Sequence, residues 1–197
     1  RTLAVNANST DFLKRLGLLD NLKTKSEPIK KIFISDYVNA KTLIFNHEPE
    51  YMGNIIFNKD LLFNARKKLK SKKSIFFNKN LNISSLQKEK QILIKNKIYS
   101  FRKIIISAGK NFDNEIIHKK SFNLGHHSYV GFFKHSKKHC NYAYEVFTKT
   151  GPLAVLPAPD KKKLSSTFIY SSKIKISYSY LKKLIKKNFG KSHGLIN

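Results

Sequence analysis

A single cysteine, Cys140, is all the chain has. That excludes an intrachain disulfide and a zinc site built from cysteines, and it suits a reducing compartment. A lone thiol of this kind reads as an ordinary buried or strand residue. No apolar run approaches the roughly 18 residues that a membrane-spanning helix needs. Nothing at the start resembles a signal peptide. The first residue is Arg1 rather than Met, so we expect a segment of a longer protein. No G-x-G occurs, which removes the dinucleotide fingerprint from this stretch. No G-x-S-x-G occurs either, so a hydrolase elbow has no support.

Carboxylates are scarce as well. Twelve Asp and Glu face 39 Lys and Arg, giving a net charge of +27. Such a balance is the electrostatic footprint of a nucleic-acid binder. Yet only Arg1, Arg15, Arg66 and Arg102 are arginines, and phosphate and base-edge recognition favours the planar Arg fork. The Lys runs are also dispersed, as at Lys72-Lys73, Lys161-Lys162-Lys163, Lys182-Lys183 and Lys186-Lys187. Codon bias toward Lys, Asn, Ile and Phe explains the excess more simply. We therefore expect solvated faces first, an anionic membrane surface second, and an RNA-binding or ribosomal role third.

What is present suffices for a core: 41% of residues are hydrophobic in 197 positions. Ser9-Thr10-Asp11 reads as the cap of an amphipathic helix ending near Gly17. Pro28 opens a two-strand excursion through Ile34 and Thr42–Phe45, with a polar turn at Asn39-Ala40. Gly53 precedes a strand Asn54–Phe57, and Asn58 can cap a helix Lys59–Lys70. Ser74–Phe77 reads as a strand. Segments near 83–86, 91–95 and 97–101 read as a small meander. Lys103–Ser107 is a continuous apolar run, expected to be a buried strand leading into Gly109. Segments 129–134, 142–148, 153–156 and 165–170 read as an antiparallel sheet. Ser179–Phe189 reads as a helix with Tyr180, Leu181, Leu184, Ile185 and Phe189 on its apolar stripe. The pattern is α/β (α+β). His126, His127, His135 and His139 cluster in sequence, but no carboxylate completes a metal site, so none is expected.

One stretch is more specific. Ala143-Tyr144-Glu145-Val146-Phe147-Thr148-Lys149-Thr150-Gly151-Pro152-Leu153-Ala154-Val155-Leu156-Pro157 resembles the A-Y-E-R-F-T-x-x-G-P-L-A-L-L-P segment of the FAD-dependent aromatic hydroxylases of ubiquinone biosynthesis. Further segments are similar to that family in the same order. They are Arg1–Val5 with Asp11–Leu18, Pro28–Asp36, Met52–Leu61 and Ile105–Phe112. The resemblance implies the central part of a p-hydroxybenzoate-hydroxylase-like FAD/NAD(P)-binding fold, with an inserted antiparallel-sheet substrate domain. It assigns residues 1–26 and 50–120 to the flavin domain, 27–49 and 121–178 to the substrate sheet, and 179–197 to a helix returning to the flavin domain.

The same resemblance implies a monooxygenase that hydroxylates a polyprenylated aromatic ring with NAD(P)H and O2. It places Arg1, Asn54, Asn58 and Gly109 at the FAD. It places Tyr144, Phe147, Gly151, Pro152 and Leu153 at the ring pocket. No catalytic side chain is implied, because such enzymes position the flavin and exclude water. The expected setting is cytoplasmic, peripheral to the inner membrane or within a quinone-synthesis complex, with no nucleic-acid partner. Four positions depart from the family pattern: Ala108 for Asp, Phe112 for Ser, Phe57 for Glu and Lys59 for Arg. The segment alone, lacking the G-x-G-x-x-G, is expected to be inactive. The departures leave a divergent copy, or a flavin-free binding module of the same fold, as the alternatives.

Overall fold

A computed structural model describes residues 1–19, 26–36, 41–46, 51–73, 75, 86–88, 90–107, 120 and 122–197. The chain divides into two units, Arg1–Lys72 with Gly125–Asn197, and Lys73–Leu124. Of the expected strand at 74–77 only residue 75 is described, and the turn at Asn39-Ala40, Ala108, Gly109 and Phe112 lie outside the described residues.

The larger unit holds two sheets. The small one is antiparallel, in the order β1 (Thr2–Asn6), β5 (Gly53–Phe57), β2 (Ser26–Ile29). Helix α1 (Ala7–Arg15) follows β1 directly. Its cap is Asn6, whose side chain accepts from the Ser9 amide at 2.8 Å, so the helix starts two residues before the expected Ser9. Thr10, expected as part of the cap, is instead a buried helical residue donating to the Asn6 carbonyl at 2.9 Å. Helix α2 (Asn58–Lys70) has Phe57 as its cap residue, with no side-chain cap bond. Asn58 is thus the first helical residue rather than the cap.

The large sheet runs β4 (Thr42–Asn46), β3 (Lys31–Asp36), β10 (Tyr142–Thr148), β11 (Gly151–Pro157), β12 (Ser165–Ser172), β9 (His127–Lys134). Four pairings are antiparallel, but β3 and β10 are parallel, with Tyr144 opposite Phe33. The expected all-antiparallel sheet is corrected here: strands far apart in sequence need no hairpin, so either direction is open to them. The change of sheet falls at Lys30, since β2 belongs to the small sheet.

Strand alternation sorts the large sheet into two faces. Phe133, Leu153, Val155, Phe168 and Tyr170 on one face pack against Leu181, Ile185 and Phe189 of α3 (Tyr178–His193). The spacing of those α3 residues is one helical stripe. This helix therefore packs on the large sheet. On the opposite face, Ala143 and Leu156 pack against Ile29 and Ile55 of the small sheet.

A buried polar link ties the sheets together. Glu27 on β2 accepts from the Asn141 side-chain amide and pairs with Lys163 at 3.3 Å. Asn141 also accepts from Lys163 Nζ at 2.8 Å. Cys140 and Asn141 sit at positive φ, +53° and +67°, a conformation Asn adopts readily. Cys140 is exposed in this turn rather than buried or in a strand. Glu27→Ala leaves the buried Asn141 amide without that acceptor, so we expect a loss of about 2 kcal/mol. Urea unfolding of the variant checks this.

The smaller unit contains a meander, β6 (Leu86–Lys88), β7 (Gln91–Ile94) and β8 (Lys97–Ser100). Lys95 and Asn96 join β7 to β8 with φ of +47° and +63°, the two-residue reversal that matches strand twist. The expected strand at 103–107 is not formed: these residues pair with no described strand, and Ile105 is 89% exposed. A β-branched run supplies propensity but not a partner, and an unpaired strand does not persist.

Candidate functional site: the open face of the large sheet

The face of the large sheet away from α3 is only partly covered. Ala143, Leu156 and Thr167 meet the small sheet, with Thr2 Oγ1 donating to Thr167 Oγ1 at 3.1 Å. Beyond this contact Phe147, Ile169, Val130 and Phe132 remain 47, 41, 53 and 48% exposed. Leu43 and Phe45, on the same face through pairing with Ile34 and Ile32, are exposed too. Asp36 pairs with Phe147 and Glu145 with Ala154, so two carboxylates share this face with the exposed apolar side chains, and exposed apolar side chains grouped in this way mark a contact site for something else. Phe57 borders it, its ring 6.0 Å from that of Phe132. Next to that pair lies a groove of about 530 Å³, bounded by Phe57, Phe132, Pro159, Asp160, Lys134 and Asn197 among others.

The five residues assigned to the ring pocket do not share a face. Register pairs Phe147 with Pro152, and both belong to the open face. Tyr144 and Leu153 have the other parity. Leu153 is fully buried under α3, and Tyr144 stacks on Phe33 at 5.1 Å and meets Phe189 edge-on. Burial raises the Tyr144 hydroxyl above its ordinary pKa. Gly151 ends the β10–β11 hairpin opposite Thr148. Of the five, only Phe147 and Pro152 look onto open space, and the physical reason is the period of two along a strand.

The residues assigned to the cofactor also separate. The Arg1 carbonyl accepts from the Asn58 amide at 3.1 Å, which puts the Arg1 backbone beside the N-terminus of α2, and Arg1 is exposed. A helix N-terminus with an arginine at hand suits a diphosphate, although Asp60 in the first turn opposes it. Asn54 lies mid-strand opposite Val5 and Pro28, on the face away from Ile55. Gly109 lies outside the described residues.

A constellation that sequence reasoning did not assemble lies under the end of α3. His135, His139 and His193 are all buried. The His135 and His193 rings meet edge-on at 4.7 Å, and His135 and His139 at 6.2 Å. His135 Nδ1 donates to the Lys137 carbonyl at 2.7 Å, and its Nε2 accepts from the Ser166 hydroxyl at 2.9 Å. His139 Nδ1 accepts from the Asn141 amide at 3.1 Å. The Nε2 atoms of His139 and His193 are buried without a hydrogen-bond partner. Burial pushes both rings down to about 4. Among the described residues no group of three His, Cys, Asp or Glu could hold a metal ion, and no described helix is long and apolar enough to cross a membrane. The sequence cluster included His135 and His139 but not His193, whose partners sit on another element.

No protein-family model matches the chain, and no curated protein does. Solved structures resemble it in fold. Peptidyl tryptophan dihydroxylase QhpG, essential for tryptophylquinone cofactor biogenesis, aligns over 98% of this chain and 42% of its own, with a TM-score of 0.53 and 9% identity. Tetracycline destructases Tet(51) and Tet(55) align over 97% and 95% of this chain and 52% and 51% of theirs, with TM-scores of 0.38 and 0.36 and identities of 9% and 13%. Only the first of these scores carries an argument, and it is one about fold: the mixed α/β arrangement of this chain is similar to that of a part of the QhpG structure. The chain spans less than half the length of QhpG.

Proposed function

We propose that the chain is the central part of an FAD-dependent aromatic-ring hydroxylase acting on a polyprenylated ubiquinone precursor with NAD(P)H and O2. The observation that carries this reading is the open sheet face, on which Ile169, Val130 and Phe132 are exposed and Phe147 and Pro152 lie beyond the Glu145–Ala154 pair. It is a sheet surface with room for a flat ring and an apolar tail. The fold likeness to a dihydroxylase over nearly the whole chain supports it, as does the order of the matching segments.

The residues that would hold the cofactor's diphosphate are Arg1 and the start of α2 at Asn58, whose backbones are hydrogen-bonded to each other. A bound flavin would supply the redox chemistry and oxygen activation that no side chain here provides. The chain's own task is to bind the ring on the open face, fix its orientation through Phe147 and Pro152, and keep water out.

The test is the visible absorbance of the full-length protein that carries this chain, before and after FAD is added. A bound-flavin spectrum, bleached by NAD(P)H and restored by air, is expected. A folded protein that takes up no flavin at saturation overturns the proposal and favours a flavin-free binding module. Phe147→Ala is expected to weaken binding of an aromatic ligand by about fivefold. Its stability should change by less than about 0.5 kcal/mol, because the ring is half exposed. Ligand titration beside urea unfolding separates the two effects.

A further inference from the structure

Strand β4 forms one edge of the large sheet, and among the described residues no strand pairs with it on the side away from β3. All five of its residues are exposed. Pairing with β3 puts Leu43 and Phe45 on the open face, opposite Ile34 and Ile32, and Ile44 on the other face, opposite Phe33. Leu43, Ile44 and Phe45 are 62, 58 and 47% exposed, so the strand is bare on both faces as well as along its edge.

Sheet edges are ordinarily blunted by a charge, a proline, a bulge or a covering segment. The opposite edge, β9, is handled in that way. It ends on Lys134, whose carbonyl accepts from the Asn197 amide at 3.0 Å, and Ile196 bridges to His135 just beyond. Strand β4 has no charge and no proline, and its register with β3 is unbroken.

The order of residue types identifies what such an edge fits. Thr42-Leu43-Ile44-Phe45-Asn46 has the same pattern in both directions, three apolar residues between polar ends. Two copies paired antiparallel about a twofold axis at Ile44 set Ile44 against itself, Leu43 against Phe45 and Thr42 against Asn46. Residues opposite each other share a face, so Leu43 and Phe45 of both copies meet on one face and the two Ile44 side chains on the other. Lys41 stays outside the paired residues. Two copies of a chain with net charge +27 repel each other, and an uncharged edge is where they can approach. An acidic or basic partner finds no counter-charge on it.

We propose that β4 is a self-association site, at which two copies of this chain pair edge to edge, antiparallel about Ile44, into one continuous sheet. The surface is defined by exposure and residue order and does not depend on the proposed flavin chemistry.

Analytical ultracentrifugation of the full-length protein at micromolar concentration tests it. A monomer–dimer equilibrium that tightens as salt is raised is expected, because salt screens the repulsion between the cationic copies. Ile44→Lys sets two like charges against each other and removes the apolar contact, so it should weaken the dimer about a hundredfold. Its urea midpoint should match the parent's, since Ile44 is exposed in the single chain. Ile174→Lys, at a comparably exposed position outside β4, should leave the dimer intact. Cysteine trapping checks the register. In a Cys140→Ser background, Ile44→Cys should cross-link the two copies on oxidation with diamide, because opposite residues lie roughly 4.5–5.5 Å apart. Thr42→Cys should not, since the two copies of that position lie roughly 13 Å apart along the strands. A full-length protein that stays monomeric, whether solvent or another part of its own chain lies along β4, overturns the proposal. A dimer indifferent to Ile44→Lys overturns it too, as do aggregates that grow with concentration instead of stopping at two. The flavin spectrum should be the same in the parent and in Ile44→Lys, so failure here is distinct from failure of the hydroxylase proposal.

Discussion

Gly151→Ala should cost roughly 3 kcal/mol or more, enough to lower the urea midpoint sharply. Gly151 has φ of +142°, where a residue with a Cβ is strained. A Cβ built there lies 1.9 Å from the Ser171 carbonyl oxygen on β12. That atom is backbone in a paired strand, so relief requires β11 and β12 to part. Thr148 fixes the same corner, its hydroxyl donating to the Gly151 carbonyl at 2.7 Å while it accepts from the Thr150 amide at 3.3 Å. Thr150 in turn bonds the hydroxyl of buried Tyr170. Gly190 is the contrasting case. It is helical, and an added Cβ meets nothing within 4 Å. Gly190→Ala should therefore raise stability by about 0.5–1 kcal/mol through helix propensity. Opposite signs for the two substitutions would place the fingerprint glycine in the hairpin; a neutral Gly151→Ala would refute that placement.

The fate of that fingerprint shows what a sequence displays and what it hides. Residues 142–148 alternate because one face is buried under α3 and the other is not, so the strand was legible. The same alternation already put Tyr144 and Phe147 on opposite faces, a signal that assigning both to one pocket overlooked. The stripe of α3 was legible for the same reason of periodicity. Its partner sheet was not, because nothing in residues 178–193 names the surface that they bury against. The parallel pairing of β3 with β10 and the grouping of His193 with His135 are contacts between distant segments, which local pattern does not encode. The run at 103–107 failed in the opposite sense. Its apolar, β-branched content is real, but a strand needs a neighbour, and propensity alone gave too much weight to composition. Of the candidate site, the open face was half legible: all its residues but Pro152, which had been read as part of the turn, were in predicted strands, while the extent left bare by the small sheet depended on tertiary packing.

Acid should undo this fold earlier than its few carboxylates would suggest. His139 and His193 have folded pKa values of about 4, against 6.5 ordinarily, because burial disfavours the charged rings. Burial lowers His135 as well, despite the opposing Lys137 carbonyl. The sign follows directly. Below about pH 6.5 the unfolded chain takes up protons that the folded one refuses, so stability is full above that value. It falls as pH drops toward 4, then stops falling on this account. Each of the two rings contributes about 3 kcal/mol across the window, a large part of the roughly 5–15 kcal/mol of a typical domain. The surroundings reinforce the direction. His135 and Lys163 repel a proton on His139 while Asp160 attracts it, and Tyr144, Phe133, Phe189 and Ser192 around His193 bring no charge. Asp160 acts in a separate, more acidic window. Burial would raise it, but the amides of Lys162 and Leu164 and the Ser165 hydroxyl hold it below 3.8. Urea midpoints measured from pH 7 to pH 4 should fall steeply in the parent. His193→Gln, neutral throughout, should start lower and fall about half as far. A parent profile that is flat until the carboxylates titrate would show that these rings are protonated in the folded protein and that the clasp under α3 is not closed as described.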